Sequence, residues 1–282
     1  MGLGTLLQPT ACRQRLFKWG ERTFIMGIVN VSPDSFSGDG LSTVDAAVEQ
    51  AKRFVSEGAD IIDVGGESTR PNSQPVTIDE EIARVIPIIE KLGRELSVPI
   101  SVDSYKHDVV KEAIHAGAHI INDVWGLKCE PRLAGLAEEH NLPIILTSNQ
   151  RDTPCKGDIM TELITSLKHS IGLCKDAGLA SENIIIDPGI GFGKTVEQNL
   201  EIIRRLAELK ALGKPILLGT SRKSFIGLTL DLPAAERLEG TAATNALGIA
   251  NGADIIRVHD VKFMSRLAKM CDAIIREKTH ER

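Results

Sequence analysis

Polar side chains stand at or near the ends of several short apolar runs in this 282-residue sequence, and their types suit a flat heterocycle. Asp103, Asn122 and Asp187 lie at three such positions, and Lys223 lies in the segment SRKS at 221–224. Carboxylates and an amide can accept from a ring that carries several N–H donors, and an ammonium can donate to its carbonyl. These four residues are therefore predicted to bind a nitrogen-rich ring.

A second group suits a phosphate-bearing partner. It comprises Arg70, Arg257 and His259 together with Asn30. A guanidinium grips oxyanions through two parallel hydrogen bonds, and an asparagine carbonyl is a hard oxygen ligand that Mg²⁺ accepts. The combination indicates a polyanion bound with Mg²⁺.

The glycine-rich segment DPGIGFGKT at 187–195 ends like a nucleotide-binding loop but lacks its first glycine. That motif requires glycine five residues before Gly193, and position 188 is proline. We interpret the segment as a strand exit whose glycines let the backbone pass close to a ligand, with Phe192 available to pack against it.

The segment GTSRKSFIG at 219–227 predicts a helix start at Ser221 to Ser224. Free backbone N–H groups at a helix start attract anions. A small carboxylate would fit there.

Eight apolar runs alternate with helical stretches along the whole chain. They are FIMGIVN, DIIDVGG, PISVDS, HIINDV, PIILTSN, IIIDPGIG, PILLGTS and DIIRVHD. Runs without polar alternation suit parallel strands that are covered on both faces. Eight strand–helix units in one chain of this length favour an α/β fold, a single-domain (β/α)8 barrel over residues 1–282 with residues 1–20 as a lead-in. Such a barrel gathers its strand ends, and hence the polar residues, at one face.

The composition of the chain argues against two classes of partner, nucleic acid and membrane. A formal net charge of -5 with scattered basic residues argues against nucleic acid, and no apolar run reaches the roughly 20 residues of a membrane span. The five cysteines are widely spaced without a C-x-x-C pair, which is typical of reduced thiols. We expect a cytoplasmic protein that acts on small molecules.

Seven segments, taken together and in order, resemble the dihydropteroate synthase family over nearly the whole chain. They are MGIVNVSPDSFS at 26–37, DVGGESTRP at 63–71, PISVDSYK at 99–106, INDVWG at 121–126, IIDPGIGFGKT at 185–195, SRKSFIG at 221–227 and RVHDV at 257–261. The resemblance implies a barrel enzyme of folate biosynthesis that joins a dihydropterin pyrophosphate to p-aminobenzoate and releases pyrophosphate. It also implies Mg²⁺, a homodimer and a target of sulfonamides.

The resemblance assigns roles to the matching positions. Catalysis falls to Asp103, Lys223, Arg257 and His259. Pterin binding falls to Asp103, Asn122, Asp187, Lys223 and Phe192. Pyrophosphate binding falls to Asn30, Thr69, Arg70, Arg257 and His259, with the metal on Asn30. The p-aminobenzoate contacts are Arg70, Ser221 and Ser224. Residues 31–41 and 65–76 correspond to two mobile loops of the family. The implied mechanism is dissociative, with pyrophosphate leaving before the aniline nitrogen attacks.

One departure from the family pattern falls after the fifth run. The family commonly has a Met-His pair there, and this chain has Thr147 and Ser148. The smaller side chains predict a roomier and more polar pterin pocket, and restoring Met and His should tighten pterin binding by ~1 kcal/mol.

Two other interpretations stay open. A pterin-binding methyltransferase uses a similar barrel but has no need of SRKS or SPDSFS. A non-catalytic pterin-binding scaffold has no need of a pyrophosphate grip such as Lys223, Arg257 and His259 provide. Pyrophosphate release in the presence of both substrates and Mg²⁺ separates all three.

Overall fold

A computed structural model describes residues 7–31, 43–68 and 75–276, and it confirms the predicted (β/α)8 barrel. Two short strands, β1 (Thr10–Cys12) and β2 (Arg15–Phe17), precede the barrel and pair antiparallel. The barrel strands are β3 (Phe24–Asn30), β4 (Ile61–Gly65), β5 (Ile100–Asp103), β6 (Ile120–Asp123), β7 (Ile144–Thr147), β8 (Ile184–Asp187), β9 (Leu217–Leu218) and β10 (Ile255–Val258). Each lies within one of the eight apolar runs.

All eight barrel strands are parallel and follow one another around the ring in chain order, with β10 paired to β3. Closure comes between β8 and the start of β9. Ile186 and Ile216 form a parallel bridge there, and the Ile186 N–H donates to the Pro215 carbonyl at 3.0 Å. The short β9 makes this the weakest seam of the barrel.

Helices cover the outside of the ring. They are α1 (Val44–Glu57), α2 (Ile78–Glu95), α3 (His107–His115), α4 (Leu133–Glu139), α5 (Ile159–Asp176), α6 (Val196–Arg204), α7 (Ser224–Leu230), α8 (Leu238–Ala250) and α9 (Val261–Ile275). Short 3₁₀ turns lie at 181–183, 206–212 and 234–236. Local signals start several helices, as in α2, where Thr77 and Glu80 form a capping box.

Side-chain alternation along the strands produces two apolar cores. Outward-facing residues such as Ile62, Ile121 and Ile256 pack under the helices. Inward-facing residues of the lower barrel pack against one another, and they are Phe24, Met26, Ile61, Ile120, Ile145, Ile185, Leu217 and Ile255. The barrel is therefore solid below its polar C-terminal mouth.

The strands β1 and β2 were not predicted, and they close the bottom of this inner core. Cys12, Phe17 and Trp19 join the inward-facing cluster, and Phe17 stacks on Trp19 with ring centroids 5.6 Å apart. The Trp19 N–H donates to Thr10 Oγ1 at 3.0 Å. Strands of three residues carry too little periodicity to be read from sequence.

No helix in the three described stretches is both long and apolar enough to cross a membrane.

Candidate active site

The C-terminal mouth of the barrel holds a layer of buried charged and amide side chains. Alternation points Asp63, Asp103, Asn122, Asp187 and Arg257 inward, one layer above the apolar interior. The predicted residues Asp103, Asn122, Asp187 and Arg257 thus come from four strands to one place. Asp123, which follows Asn122, faces outward and accepts from the Trp125 and Leu127 N–H groups at 2.9 and 2.6 Å.

Asp63 is the residue of this layer that sequence reasoning missed. It is fully buried, and its carboxylate accepts from Arg257 Nε at 2.6 Å and from Asn122 Nδ2 at 3.2 Å. The other side of the Arg257 guanidinium donates to Asp103 at 2.5 Å. One arginine therefore bridges two buried carboxylates. The sequence could have predicted this position, because Asp63 lies two residues before Gly65, the end of β4, and therefore points to the same side as that strand end. The polar segment GGESTR that follows drew attention away from it.

Burial shifts the acid–base behaviour of these groups toward neutral pH. It raises the pKa of Asp103 to about 7, with Arg257 opposing the shift, and it raises the pKa of Asp187 against the opposing charge of Lys223. Burial lowers the pKa of Lys223 to about 8, with Asp187 opposing. Asp187 Oδ2 and Lys223 Nζ each lie 4.0 Å from the point that a Cβ at Gly219 would occupy, so the two groups are close together.

Phe192, the predicted packing residue, lies beside this cluster. The ring is buried, and Lys223 Nζ lies 4.6 Å from its centroid while the Arg151 guanidinium carbon lies 4.7 Å from it. Lys223 also donates to the Ile190 carbonyl. Two cations therefore lie near the Phe192 ring, whose π-electrons attract positive charge.

The glycines of the β8 exit make a close backbone approach, but to protein and not to an open ligand site. Gly189 and Gly193 have φ of 69° and 71°. A Cβ at Gly189 would lie 2.0 Å from the Ser148 carbonyl oxygen, and one at Gly193 would lie 2.4 Å from the Gln150 carbonyl carbon. The exits of β7 and β8 are packed backbone against backbone, which only glycine permits.

The residues after β9 and β10 meet at the rim. Ser221 Oγ lies 2.9 Å from His259 Nδ1 and accepts from the His259 N–H at 3.2 Å. Arg222 donates twice to Asp260, at 2.8 and 3.1 Å. Ser224 begins α7, as the sequence predicted for a helix start, and its side chain is exposed. His259, Ser221 and Ser224 therefore lie at the mouth, above the buried carboxylates.

The oxygen ligands at the mouth of the barrel suit a metal ion that binds together with a phosphate-bearing substrate. Asn30 ends β3, is half-buried and pairs in register with Gly65, whose neighbour on the next strand is Asp103. Within the described ranges no group of three or more His, Cys, Asp or Glu side chains could hold a metal. Mg²⁺ characteristically takes one or two protein oxygens plus phosphate and water, so a single asparagine oxygen fits it. The predicted residues Thr69 and Arg70 lie outside the described residues.

The position where the sequence departs from the family pattern borders the cluster. Thr147 ends β7, is buried and, by alternation, faces the barrel interior. Ser148 is fully buried, and its hydroxyl has no hydrogen-bond partner in the described part of the chain. The two positions are therefore not equivalent, since Thr147 alone faces the interior by this alternation.

Fold and site together define a (β/α)8 barrel whose C-terminal mouth holds a layer of buried charged and amide side chains, at the end where enzymes of this fold carry their active site. The family described as "Pterin binding enzyme" matches residues 26–259. A dihydropteroate synthase of Clostridium beijerinckii is 53% identical over 92% of this chain and 97% of its own length. A dihydropteroate synthase of Clostridium difficile, crystallised in the presence of pteroic acid, superposes with a TM-score of 0.88 at 51% identity, covering 93% of this chain and 100% of that one. The dihydropteroate synthase of Yersinia pestis in a sulfonamide drug complex superposes with a TM-score of 0.89 at 38% identity. The match covers 95% of this chain and 99% of that one.

The chain belongs to the dihydropteroate synthase family of pterin-binding enzymes. Its activity is that of a dihydropteroate synthase, and it is a transferase.

Proposed function

We propose that the buried charged layer binds 6-hydroxymethyl-7,8-dihydropterin pyrophosphate and that the rim binds its pyrophosphate and p-aminobenzoate. The observation that carries this assignment is the Asp63–Arg257–Asp103 bridge, flanked by Asn122, Asp187 and Lys223. Acceptors and donors stand side by side in this layer, next to the buried Phe192 ring. A pterin presents an amide carbonyl and several N–H groups in one plane, and it complements such a set.

Each pterin-binding residue has a definite part in this assignment. Asp187 and Asn122 accept from the ring N–H groups, Lys223 donates to the ring carbonyl, and Phe192 packs on the ring face. Asp103, near the place where positive charge develops, stabilises the pterin cation. A carboxylate in a partly dry pocket is well suited to that task because its field is weakly screened.

The leaving group is held by Arg257 of the buried layer and by His259 at the rim, with Thr69 and Arg70 as the further proposed contacts. The bond from the pterin methylene carbon to the pyrophosphate oxygen breaks, and its electron pair leaves with pyrophosphate. Mg²⁺, held by Asn30, would supply charge neutralisation to that leaving group. The aniline nitrogen then forms the new bond to carbon with its lone pair and loses a proton to water.

Ser221, Ser224 and Arg70 are the proposed contacts of the p-aminobenzoate carboxylate. Ser224 supports this because it is exposed and begins α7, and the start of a helix attracts anions. Sulfonamides resemble p-aminobenzoate in shape, and we expect them to compete at the same subsite.

The reaction is tested by pyrophosphate release from both substrates with Mg²⁺, alongside mass detection of dihydropteroate. Release that requires both substrates and stops when Mg²⁺ is chelated supports the proposal. Pterin binding without release points to the scaffold, and methyl transfer from a methylated pterin without release points to the methyltransferase.

The activity should peak between about pH 7 and 8. Asp103, with its pKa raised to about 7 by burial, loses its charge as the pH falls through that value. Lys223, with its pKa lowered to about 8 by burial, loses its charge as the pH rises through that value. The measurement is kcat/KM for the pterin substrate across pH 5.5–9.5 at fixed ionic strength. A Lys223→Arg variant should lose the alkaline fall, since a guanidinium does not titrate in this range.

Thr147→Met should tighten binding of the pterin substrate by ~1 kcal/mol, about five-fold, because the longer side chain refills space beside the ring. Isothermal calorimetry with the pterin pyrophosphate and Mg²⁺ gives the affinity. Ser148→His is the matched comparison. It overpacks a fully buried position and should lower the melting temperature without tightening binding. Weaker binding by Thr147→Met would show that the pocket is already filled.

We infer that the chain forms a homodimer through the surface of α7, α8 and α9. Seven of the nine exposed large apolar side chains in the described part of the chain lie on these three helices. They are Leu228, Leu230, Leu247, Phe263, Met270, Ile274 and Ile275. Phe263, Met270 and Ile274 recur at helical spacing on one face of α9, and α8 packs against both neighbours. An apolar patch of this kind marks a protein interface, and a two-fold axis would bury it against its own copy.

Leu247→Glu with Met270→Glu should convert the dimer to a monomer. Sedimentation of the wild type should give twice the chain mass of 30.5 kDa, and the double variant should give the single mass. Leu16→Glu, an equally exposed leucine on β2, is the control and should leave the mass unchanged. A wild-type monomer at micromolar concentration would refute the interface.

The cellular location we propose is the cytoplasm. All five cysteines carry free thiols, and Cys12 and Cys174 are buried without a partner cysteine. Free thiols are typical of a reducing compartment.

A further inference from the structure

Lys194 is a cation beside the site that the mechanism above does not use. It ends the glycine-rich exit of β8, and its ammonium donates to three backbone carbonyls, those of Ser148, Gly189 and Phe192, at 2.8, 2.9 and 3.3 Å. None of its hydrogen-bond partners among the described residues is a carboxylate. A lysine with this environment is unusual, because a desolvated ammonium is ordinarily paired with a negative charge.

The three carbonyls belong to two different strand exits. Ser148 follows β7, whereas Gly189 and Phe192 follow β8. The Ser148 N–H donates to the Asp187 backbone carbonyl at 2.9 Å, and the Gln150 N–H donates to the Phe192 carbonyl at 3.2 Å, so the exits are joined backbone to backbone. Three carbonyl oxygens turned toward one point repel one another, and the ammonium is the group that neutralises them. Lys194 therefore fastens the two exits together.

The segment that Lys194 fastens carries the Phe192 ring. That ring meets Lys223 on one side at 4.6 Å, and its own carbonyl is one of the three that Lys194 binds. Movement of the β8 exit would displace both the aromatic wall and the ammonium of Lys223, which also donates to Ile190 in the same segment. The position of Lys194 is thus coupled to the pterin pocket through one short loop.

We propose that Lys194 is a positioning residue for the pterin site, and that it acts by holding the Phe192 wall in place. The proposal rests on the pterin role assigned to this pocket. Burial lowers the pKa of Lys194 to about 7, with Asp187 opposing and Lys223 and Lys128 adding to the shift. Desolvation of the ammonium is therefore offset only in part by its three carbonyl partners.

The test is a double-mutant cycle between Lys194 and Phe192. Lys194→Met should raise the KM for dihydropterin pyrophosphate about ten-fold, while the KM for p-aminobenzoate at saturating pterin stays within about two-fold. Phe192→Ala should raise the same pterin KM. In the double variant the pterin KM should rise by clearly less than the product of the two single effects, because the Phe192 wall that Lys194 holds is already gone.

Lys214→Met is the matched control. Lys214 is also a buried lysine that donates to a backbone carbonyl, that of Ser181 at 2.5 Å, but it lies below β9 at the opposite end of the barrel. It should lower the melting temperature and leave both KM values unchanged. This control separates loss of a buried ammonium in general from loss of the one beside Phe192.

An unchanged pterin KM in Lys194→Met would overturn the proposal. So would a double variant whose pterin KM rises by the full product of the two single effects. If Lys194→Met does not fold, Lys194→Gln takes its place. It retains a donor for part of the carbonyl set and should raise the pterin KM by a smaller factor, and an unchanged KM would again overturn the proposal. Failure of the wild type to bind dihydropterin pyrophosphate in calorimetry would instead remove the proposed pterin role itself.

Discussion

Arg257→Met should abolish most activity and lower the free energy of unfolding by about 3–5 kcal/mol, the cost of leaving a buried charge without its partner. Arg257 is the group that bridges Asp63, which is fully buried, and Asp103, which is 8% exposed. Its loss places two carboxylates close together with no cation between them. Turnover should fall by roughly 10²–10³-fold, since the leaving pyrophosphate loses a positive contact. Urea unfolding and pyrophosphate release measure the two effects.

The stability loss should be larger at pH 8 than at pH 5.5. Burial already raises the pKa of Asp103 to about 7, and Arg257 is the charge that opposes this rise. Without Arg257 the pKa rises further above its unfolded value, so the folded state binds more protons and stability falls as pH increases. Lowering the pH protonates a carboxyl and relieves the repulsion.

Two further variants test whether unpaired charge causes the stability loss in Arg257→Met. Asp63→Asn combined with Arg257→Met should recover part of the lost stability, because one of the two unpaired charges is gone. Arg22→Met removes a bidentate partner of Asp60 at the other end of the barrel and should leave activity unchanged. An equal stability loss in the single and the double variant would show that packing, not charge, is responsible.

Asp187→Asn should weaken pterin binding or turnover by roughly ten- to a hundred-fold, about 1.5–3 kcal/mol, while leaving the fold intact. The fold survives because asparagine keeps an oxygen that can accept from the Gly189 N–H, which Asp187 does now at 2.7 Å. Pterin affinity falls because a neutral amide is a weaker hydrogen-bond acceptor than a carboxylate. It also no longer provides the negative charge that stabilises the Lys223 ammonium. Asp103→Asn should have a loss of similar size. Calorimetry with the pterin substrate gives the affinity, and thermal unfolding checks the fold.

Asp123→Asn is the matched control for both variants. Asp123 is as buried as the two site aspartates and lies at the same end of the barrel. It faces the helices, however, and its hydrogen-bond partners within residues 7–31, 43–68 and 75–276 are backbone N–H groups. Its replacement should reduce stability and leave pterin affinity unchanged. Wild-type turnover in Asp187→Asn would remove that carboxylate from the mechanism.

The sequence by itself determined the eight strands, the barrel and the end of the barrel where chemistry is concentrated. Continuous apolar runs predict strands covered on both faces, and this prediction does not depend on how individual side chains pack. The positions of Asp103, Asn122, Asp187 and Arg257 follow because each stands at or near a strand end, and strand ends meet at one face.

Only the tertiary structure decided which of the polar residues share the interior. Asp63 and Asp123 are both buried aspartates near strand ends, yet the pleat turns Asp63 inward onto Arg257 and Asp123 outward under a helix. The same holds for Lys194, whose three carbonyl partners come from two strand exits that the closed ring brings together. Side-chain direction depends on where each strand begins its alternation, and a shift of one residue reverses it. Contacts between exits depend on strand register, which the sequence of a single strand does not contain.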